Sequence, residues 1–526
     1  MNIVRDRLLR KGDYVYGSFV KPEVVDGFIN GVNPGDRKDV LGRFPFSEMS
    51  VNEAVGFARE GFRQWRRVPL HDRANAVRRF RDQVARYQEQ ISQLVTRETG
   101  KPIWESRQEV LATIRAMDLF LDEGADRLAP HVLDELGARS DRMPRGIVAM
   151  LTPYTFPVLL AGVQSAAAVL AGDVVVYKPS KFTPGVGQLL AELWDGCRLP
   201  RGVINMVQGP GAVVGQRLVQ HPDLDVLLFT GRYETARAIR QLTTSRVGLP
   251  MMLHCGGKAC AIVLEDAEPD RAVYEVMVGA FLTAGQRHNS TARVIVTEGI
   301  FDTFVDRLVR QTARINVGYG FDHDTFLGPL ISENLRTRYR RFTRLLTKEG
   351  HDALIEAGPE RCERRGFYAR PAIYKVNWSQ GEPFLGESPP GPTVLLYKVS
   401  GWEEAVALHN QIGARIATSI FTDPYSHALE EMRFLIRTGT LNINRGTIGS
   451  SNRLSSVGVG TSSNGVAGGL ELLAFLTQSR AELVESRAFR GLPVLPGTNW
   501  SGLESMDIDL DTDDEELDLN RAMELP

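Results

Sequence analysis

The sequence predicts an α/β protein with two parallel-sheet domains, and three observations point to this fold class. The chain has 526 residues, which is too long for one compact core and indicates two or three domains. From residue 145 onward, short apolar runs alternate with helical patterns at the spacing of strand–helix–strand units. A second alternating series begins at residue 259 and predicts a second α/β unit.

The N-terminal part of the chain predicts edge structure followed by helices. Residues 1–50 contain many glycines and short strand-like runs, which indicate irregular edge structure. Ser50 and Glu53 have the spacing of a capping box, which predicts a helix that begins at Ser50 and ends near Trp65. Two further helices are predicted over residues 70–87 and 89–99.

The first alternating series predicts a parallel sheet with a ligand cleft at one edge. Strands are predicted at residues 146–151, 173–177, 203–207, 226–229 and 251–254, with helices at 157–170, 184–197, 212–220 and 234–242. Ligands of such sheets bind beyond the carboxyl ends of the strands. The segments that follow these ends are residues 152–157, 178–180, 208–215 and 230–232.

The second series predicts another sheet and then a loop-rich C-terminal part. Its predicted strands are residues 259–264, 292–296, 393–397, 417–421 and 440–443, with helices at 270–283 and 301–315. Glycine and serine dominate residues 446–469, which predicts a long surface loop, and residues 470–476 form a last helical pattern.

Composition indicates a soluble globular protein. Apolar residues make up 43% and charged residues 24%, and the net charge of −2 gives no general attraction to nucleic acid or membranes. The four cysteines show no Cys-x-x-Cys spacing, which favours a reduced, cytoplasmic compartment. The N-terminus lacks the apolar core of a signal peptide, and no apolar run approaches the ~20 residues of a bilayer span.

Residues 501–526 differ from the rest of the chain because acidic residues alternate with leucine and isoleucine. Self-repulsion and low apolar content predict a disordered tail. Such a tail would either increase solubility or dock its alternate apolar residues on a basic protein partner.

The segment Thr-Ala-Gly-Gln-Arg-His at residues 283–288 lies between a helical pattern and a predicted buried strand. It resembles the nucleophile segment of the aldehyde dehydrogenase superfamily, Gly-Gln-x-Cys. The succinylglutamate-semialdehyde dehydrogenase branch, with Thr-Ala-Gly-Gln-Arg-Cys, is most similar. In this chain His288 stands where the family has its cysteine.

The resemblance extends to about residue 480, and it implies an aldehyde dehydrogenase-like fold. That fold comprises two Rossmann-like parallel-sheet domains and a small oligomerisation strand domain, so a homo-oligomer is expected. The resemblance implies four segments. Residues 1–252 would form N-terminal helices and a nucleotide-binding domain, with an oligomerisation arm near 115–143, and residues 253–445 would form a catalytic-type domain. Residues 446–500 would form a loop, a helix and an oligomerisation strand, and residues 501–526 would form the tail.

The resemblance also implies three catalytic positions, and all three are substituted. His288 replaces the cysteine nucleophile. His254, in Leu-His-Cys-Gly-Gly-Lys, replaces the glutamate that serves as general base. Thr155, in Pro-Tyr-Thr-Phe-Pro, replaces the asparagine that donates to the oxyanion.

The positions that the family uses for NAD or NADP are only partly retained. Lys178 and Ser180 match the segment that holds the adenosine ribose, and Gly211 and Gly215 match a glycine pair at a strand-to-helix turn. At the nicotinamide end, Thr230 and Gly231 are retained, Arg232 replaces a serine, and Ser388 replaces the glutamate that holds the nicotinamide ribose. The adenine half of the cofactor site is therefore expected to be better retained than the nicotinamide half.

Three hypotheses for function follow from these substitutions. The first is a non-catalytic member of the superfamily that acts as a scaffold, assembly subunit or nucleotide-linked regulator. The second is an NAD(P)-dependent aldehyde or semialdehyde oxidoreductase with a rearranged site that uses Cys255 or Ser290. The third is a metal or hydrolase site built on His254 and His288, although the sequence shows no third ligand.

Overall fold

The computed structural model describes residues 12–133, 137–360, 362–379, 383–449 and 451–484, together with two strands near the C-terminus, Leu492–Pro493 and Ser505–Met506. Apart from the second of these strands, the acidic tail predicted over residues 501–526 lies outside the described residues. The chain forms two compact units: Met1–Ala129 with Arg142–Ser479, and Pro130–Asp141 with Arg480–Pro526.

The helices of the described residues are α1 (Met49–Trp65), α2 (Leu70–Arg86), α3 (Gln88–Thr99), α4 (Ile103–Asp122), α5 (Gly124–Leu128), α6 (Leu159–Ala171), α7 (Pro184–Asp195), α8 (Gln216–Gln220), α9 (Tyr233–Leu242), α10 (Pro269–Phe281), α11 (Glu298–Thr312), α12 (Glu333–Lys348), α13 (Trp402–Asn410), α14 (His427–Leu435) and α15 (Glu471–Leu476). A π-helical turn, Gly211–Gly215, precedes α8, and 3₁₀ turns occur at Leu282–Gly285 and Pro383–Leu385.

The strands are β1 (Asp13–Val15), β2 (Ser18–Val20), β3 (Gly27–Asn33), β4 (Asp36–Phe46), β5 (His131–Leu133), β6 (Ala138–Pro144), β7 (Ile147–Leu151), β8 (Val174–Lys178), β9 (Ile204–Met206), β10 (Val226–Thr230), β11 (Met251–His254), β12 (Ala259–Val263), β13 (Thr291–Thr297), β14 (Asp352–Ile355), β15 (Ala372–Lys375), β16 (Thr393–Val399), β17 (Ala414–Arg415), β18 (Ala417–Phe421), β19 (Thr440–Ile443), β20 (Val459–Gly460), β21 (Thr477–Leu483), β22 (Leu492–Pro493) and β23 (Ser505–Met506).

The first sheet has seven strands in the order β11–β10–β7–β8–β9–β1–β2. The strands from β11 to β9 are parallel, and β1 and β2 add antiparallel pairs at one edge. Every residue of β7, β8 and β10 is buried, because helices cover both faces of a parallel sheet. The predicted first series is therefore confirmed as a parallel sheet.

The second sheet also has seven strands, in the order β14–β15–β16–β13–β12–β18–β19. Its neighbours pair in parallel except β14, which runs antiparallel to β15. The long strand β13 lies at its centre and is buried throughout. The two sheets confirm the predicted α/β fold with two parallel-sheet domains.

Smaller sheets complete the described structure. The strands β3 and β4 form an antiparallel hairpin, so the N-terminal region is more regular than the sequence predicted. A three-stranded sheet has the order β21–β6–β5. Within the arm predicted near residues 115–143, the chain is helical through α5 and extended only from β5 onward. No helix in the described parts of the chain has the length and apolarity needed to cross a membrane.

The capping box predicted at Ser50 is wrong. Helix α1 already begins at Met49, and the side chain of its N-cap residue, Glu48, makes no capping hydrogen bond. The amide of Glu48 donates to Asp26 across 2.7 Å, and the amide of Met49 donates to the hydroxyl of Ser47 across 3.2 Å. Ser50 therefore lies inside the first turn, where its hydroxyl contacts the buried carboxyl of Asp13.

Two buried glutamates from the N-terminal helices satisfy the first amides of helices that flank the first sheet. Glu98 accepts from the amides of Gly185 and Val186 at the start of α7, each across 2.8 Å. Glu109 accepts from the amide of Val158, just before α6, across 2.9 Å. Because these amides have no intrahelical partner, the two glutamates fix the positions of α6 and α7 against the sheet.

Candidate active site

A cavity of about 900 Å³ opens at the carboxyl ends of β7, β10 and β11. This is the edge of a parallel sheet at which ligands are expected. Its walls include the segments 153–155, 230–234, 255–258, 285–288 and 386–391, and residues from the start of α12. A second cavity of about 460 Å³ adjoins the same site, and His288 and Arg287 line both.

The turn that carries His288 is held in an uncommon backbone conformation. Thr283, Ala284 and Gly285 have φ angles of 55°, 52° and 64°, so three successive residues adopt the left-handed region. Non-glycine residues enter that region at a cost, and tertiary contacts must compensate for it. The buried carboxylate of Glu105 provides them, since it accepts from the amide of Thr283 across 3.0 Å, from the hydroxyl of Thr283 and from Arg287 across 2.7 Å.

His288 is held as a neutral imidazole. Burial, followed by the charges of His254 and Arg287, lowers the pKa of His288 to about 4. Its Nδ1 atom is buried and has no hydrogen-bond partner in the described residues. The ring of Phe156 meets it edge to face, with 6.2 Å between the ring centroids.

His254, at the end of β11, lines the smaller cavity. Its Nε2 atom lies 3.0 Å from the carbonyl oxygen of Val466, which places the ring proton on Nε2. Burial lowers the pKa of His254 as well. The two histidines therefore face one site as neutral rings, and His254 cannot supply the negative charge of a carboxylate base.

Thr155 is buried in the wall of the large cavity, and its side chain is shorter than that of the asparagine that the resemblance implies at this position. The neighbouring Tyr154 donates its hydroxyl hydrogen to Oε1 of Gln286 across 3.1 Å. The amide of Ile331 donates to the same oxygen across 3.0 Å. The carboxamide of Gln286 is thus engaged in fixing the turn.

Of the four cysteines, all of which the structure describes, one lines a cavity. Cys255 lies in the wall of the large cavity, and its thiol donates to the carbonyl of Leu253 across 3.8 Å. Burial and the nearby carboxylate of Glu234 raise the pKa of Cys255 to about 11. The side chain is therefore a thiol at neutral pH and a weak nucleophile. Ser290, the other proposed substitute, is buried and lines neither cavity.

The structure divides the predicted cofactor residues into two groups. Thr230, Gly231, Arg232 and Ser388 line the large cavity, and the hydroxyl of Thr230 is buried without a partner in the described residues. The hydroxyl of Ser388 donates to the carbonyl of Gly257 across 3.2 Å. It is engaged within the protein and lacks the negative charge that the resemblance implies for holding the nicotinamide ribose.

The remaining cofactor positions lie outside the lining of that cavity. The ammonium of Lys178 donates to the carbonyls of Pro179 and Gly209 across 2.5 and 3.3 Å, and burial lowers its pKa to about 8. A Cβ atom at Gly215 would stand 3.5 Å from the Lys178 side chain, so these two residues are neighbours. Ser180 accepts from the amide of Phe182 across 3.2 Å, and Gly211 is exposed at the start of the π-helical turn.

Sequence reasoning missed several charged residues of the large cavity. Lys181, Lys258 and Arg338 line it, together with the carboxylates of Glu234 and Glu387. Arg338 belongs to α12, a helix rich in arginine for which no prediction was made, and nothing in the sequence distinguishes it from its neighbours. Within the described residues, no group of three or more histidine, cysteine or acidic side chains could hold a metal ion.

The fold is that of the aldehyde dehydrogenase family, and the chain belongs to this family, whose model it matches over residues 19–481. It is 31% identical over 419 residues to the α-ketoglutaric semialdehyde dehydrogenase of Bacillus subtilis, covering 78% of this chain and 85% of the relative. It is 32% identical over 438 residues to the N-succinylglutamate 5-semialdehyde dehydrogenase of Burkholderia thailandensis, covering 82% and 88%. The resemblance inferred from the nucleophile segment is therefore confirmed.

Solved structures of the family have the same fold. An NAD-dependent aldehyde dehydrogenase from Sinorhizobium meliloti superposes with a TM-score of 0.86 at 28% identity, over 92% of this chain and 97% of its own. Lactaldehyde dehydrogenase from Escherichia coli gives a TM-score of 0.84 at 27% identity, over 90% and 99%. Members of this family use NAD or NADP and are commonly oligomers.

Proposed function

We propose that this chain is a non-catalytic aldehyde dehydrogenase homologue that serves as a scaffold, assembly subunit or nucleotide-linked regulator. The observation that carries the proposal is His288, a neutral imidazole at the position of the family's attacking thiolate. A thiolate forms the thiohemiacetal from which hydride leaves. The imidazole of His288 does not replace it, because a ring with a pKa of about 4 is weakly basic and therefore a poor nucleophile.

The two assisting positions support the same proposal. A neutral His254 hydrogen-bonded to Val466 replaces the carboxylate that would activate water. Thr155 replaces the amide donor, and loss of one such donor typically costs a factor of about 10²–10³ in rate. Removing the nucleophile as well leaves only the residual effects of binding.

A nucleotide-linked regulator would still need a site that binds a nucleotide. The residues that the family uses for the adenine half of NAD or NADP are retained in this chain as Lys178, Ser180, Gly211 and Gly215. Arg232 and Ser388 alter the nicotinamide half. An adenine nucleotide would then bind without hydride transfer, which is the behaviour expected of a nucleotide-linked regulator.

A scaffold or assembly role would use surfaces outside the cleft. We propose a homo-oligomer through the small strand sheet β21–β6–β5, because members of the family are commonly oligomers. The acidic segment at residues 501–526 would supply a docking peptide for a basic protein partner. Neither role requires nucleic acid or a membrane.

One observation favours a second candidate, an oxidoreductase with a rearranged site. Cys255 lines the large cavity and is partly exposed there. Against this candidate, burial and Glu234 keep the side chain protonated at neutral pH. A metal or hydrolase site on His254 and His288 has no third ligand in the described part of the chain.

An activity assay with a Cys255→Ala variant separates these candidates. Purified protein is incubated with NAD or NADP and a panel of aldehydes, including α-ketoglutaric semialdehyde, and the absorbance of the reduced cofactor is followed. The proposal predicts no turnover above the protein-free rate for either protein. Turnover that Cys255→Ala abolishes would establish the second candidate and overturn the first.

A further inference from the structure

One side of helix α12 carries exposed basic side chains. The helix contains five arginines and one lysine but a single acidic residue, Glu333, whose carboxylate pairs with Arg336. Residues three, four and seven positions apart lie on one side of an α-helix. The exposed residues at this spacing form what we call the basic stripe, which comprises Arg341, Arg344, Leu345 and Lys348.

The three cations of the basic stripe are not neutralised within the described part of the chain. They form no ion pair there, and neither does Glu349, the residue that follows the helix. Exposed arginines elsewhere do find carboxylates, as Arg107 does with Glu89 across 2.8 Å. Like charges three and four residues apart on a helix repel each other. An anionic partner that lies along the stripe would therefore be stabilised by all three cations and would relieve their repulsion.

The C-terminal segment of the chain has the complementary charge. Residues 507–526 contain nine acidic residues and one arginine, so this segment carries a charge of −8. Because the whole chain carries −2, residues 1–506 together carry +6. The positive charge that the segment can neutralise therefore lies in the rest of the protein, and the basic stripe concentrates part of it on one helix.

Apolar residues of the segment match the one apolar residue of the stripe. The carboxylates of residues 507–526 are interspersed with Ile508, Leu510, Leu517 and Leu519. The side chain of Leu345 is 40% exposed between the cations of the stripe. Exposed ion pairs alone contribute little to affinity, so burial of Leu345 under an apolar residue of the segment would add to it.

We propose that the basic stripe of α12 binds residues 507–526 of a second copy of this chain. Carboxylates of the segment would pair with Arg341, Arg344 and Lys348, and guanidinium groups suit carboxylates because they donate two parallel hydrogen bonds. A second copy is the source because members of the family are commonly oligomers, which raises the local concentration of one chain's segment beside another chain. The inference rests on the proposed function, since it identifies the basic partner of the acidic segment in an assembly subunit.

Carbodiimide cross-linking of the full chain tests the contact and its source. The reagent joins a carboxylate to a lysine amine as an amide and takes up the water that is lost, so it links only groups in contact. A denaturing gel separates covalent dimers from monomers, and peptide mass spectrometry identifies the linked residues in each band. We expect Lys348 to be linked to residues 507–526 in the dimer band and not in the monomer band.

A pair of double variants shows whether the stripe guides this contact. Arg341→Gln with Arg344→Gln should lower the yield of the Lys348 cross-link about fivefold or more, because two of the three cations are lost. Arg237→Gln with Arg240→Gln is the matched control, since these arginines have the same spacing and are exposed on α9. The control should retain the yield of the unaltered chain.

Binding of a synthetic peptide provides an independent measurement. A fluorescent peptide of residues 507–526 is titrated with the full chain, and its anisotropy is followed at low and high salt. Binding that weakens about fivefold or more in the stripe variant, that is unchanged in the control and that weakens with salt supports the inference. A short DNA duplex is titrated in parallel as the other anionic class.

Several results would overturn the inference. They are absence of a link between Lys348 and residues 507–526, as much of this link in the monomer band as in the dimer band, and equal yields or affinities in both double variants. Binding of the DNA duplex that depends on the stripe and is tighter than that of the peptide would assign the stripe to nucleic acid instead.

These experiments are separate from the proposed loss of catalysis because they contain neither aldehyde nor cofactor. Reduced cofactor formed in the aldehyde assay would contradict the proposed function and leave the cross-link standing. A missing cross-link in an inactive protein would contradict the docking of the acidic segment alone. Thermal unfolding of the double variants checks that these substitutions, all at exposed side chains, leave the fold intact.

Discussion

Arg287 and Glu105 form a buried ion pair in which the guanidinium Nη2 lies 2.7 Å from the carboxylate Oε1. The pair joins the residue next to His288 to helix α4. The guanidinium also lies over the ring of Phe156, 5.1 Å from its centroid. The conformation of the turn at residues 283–285 thus depends on a carboxylate that is distant in sequence.

The substitution Glu105→Gln should be strongly destabilising. Glu105 is 2% exposed, and removing one partner of a buried pair typically costs about 3–5 kcal/mol because the other charge is left buried. The matched control is Glu89→Gln, whose partner Arg107 lies 2.8 Å away with both side chains about half exposed. That change should cost less than about 1 kcal/mol. Urea unfolding measures both, and equal small losses would contradict the assigned role of Glu105.

A glycine beside the site should be intolerant of a side chain. A Cβ atom at Gly256 would stand 2.8 Å from the Cβ of His288, and Gly256 has a φ of +68°. Gly256→Ala should therefore lower stability by about 1–3 kcal/mol through strain and overpacking. Gly248→Ala, at a glycine with nothing within 4 Å, should be neutral. A thermal unfolding temperature unchanged in both variants would show that the loop does not pack on His288.

Stability should fall in acid because of His288. The pKa of its folded form, about 4, lies below the ordinary value of 6.5. Between these values the unfolded chain binds a proton that the folded chain does not, so stability decreases as the pH falls from 6.5 towards 4. The slope from this residue is at most about 1.4 kcal/mol per pH unit.

The variant His288→Gln should reduce that acid-side slope, whereas His71→Gln at an exposed position should leave it unchanged. A residual slope is expected from His409, because burial also lowers its pKa to about 4. Urea unfolding free energies measured at several values between pH 7 and pH 4 test this. An unchanged slope in His288→Gln would mean that folding does not lower the pKa of this imidazole.

Alkylation of Cys255 by iodoacetamide at neutral pH should be slow. A pKa of about 11, against about 8.5 for a free cysteine, corresponds to roughly 300-fold less thiolate. Peptide mass spectrometry at several times gives the rate constant, with free cysteine as the reference. Alkylation as fast as that of the reference would show an activated thiol in the cavity. It would support the second candidate, an oxidoreductase with a rearranged site.

Much of the fold could be predicted because strands buried on both faces produce continuous apolar runs, as in β8 and β13. The helices α4 and α12 were not predicted. Helix α12 buries only Tyr339, Phe342, Thr343 and Leu346 among many arginines, so its apolar stripe is narrow. The prediction at Ser50 is wrong because other acceptors bind the amides at the start of the helix: Asp26, which is distant in sequence, and Ser47, which is local.

The site could also be predicted only where its residues belong to short sequence motifs. The resemblance to the family's motifs identified His288, His254 and Thr155, because such motifs can be read directly from the sequence. That Arg232 and Arg338 line one cavity depends on the tertiary fold, and no spacing in the chain encodes it. The role of Glu105 is likewise tertiary, since a buried glutamate in a helix has the same sequence signature as an exposed one.

A single-turnover experiment tests the loss of catalysis most directly. Protein in excess over α-ketoglutaric semialdehyde is mixed with NAD or NADP, and the reduced cofactor formed per site is measured by absorbance or fluorescence. If the replacement of the family's cysteine by His288 abolishes aldehyde oxidation, the signal stays at the level of the protein-free mixture. Reduced cofactor approaching one equivalent per aldehyde would contradict the account, because it would show a working nucleophile and hydride transfer in this cleft.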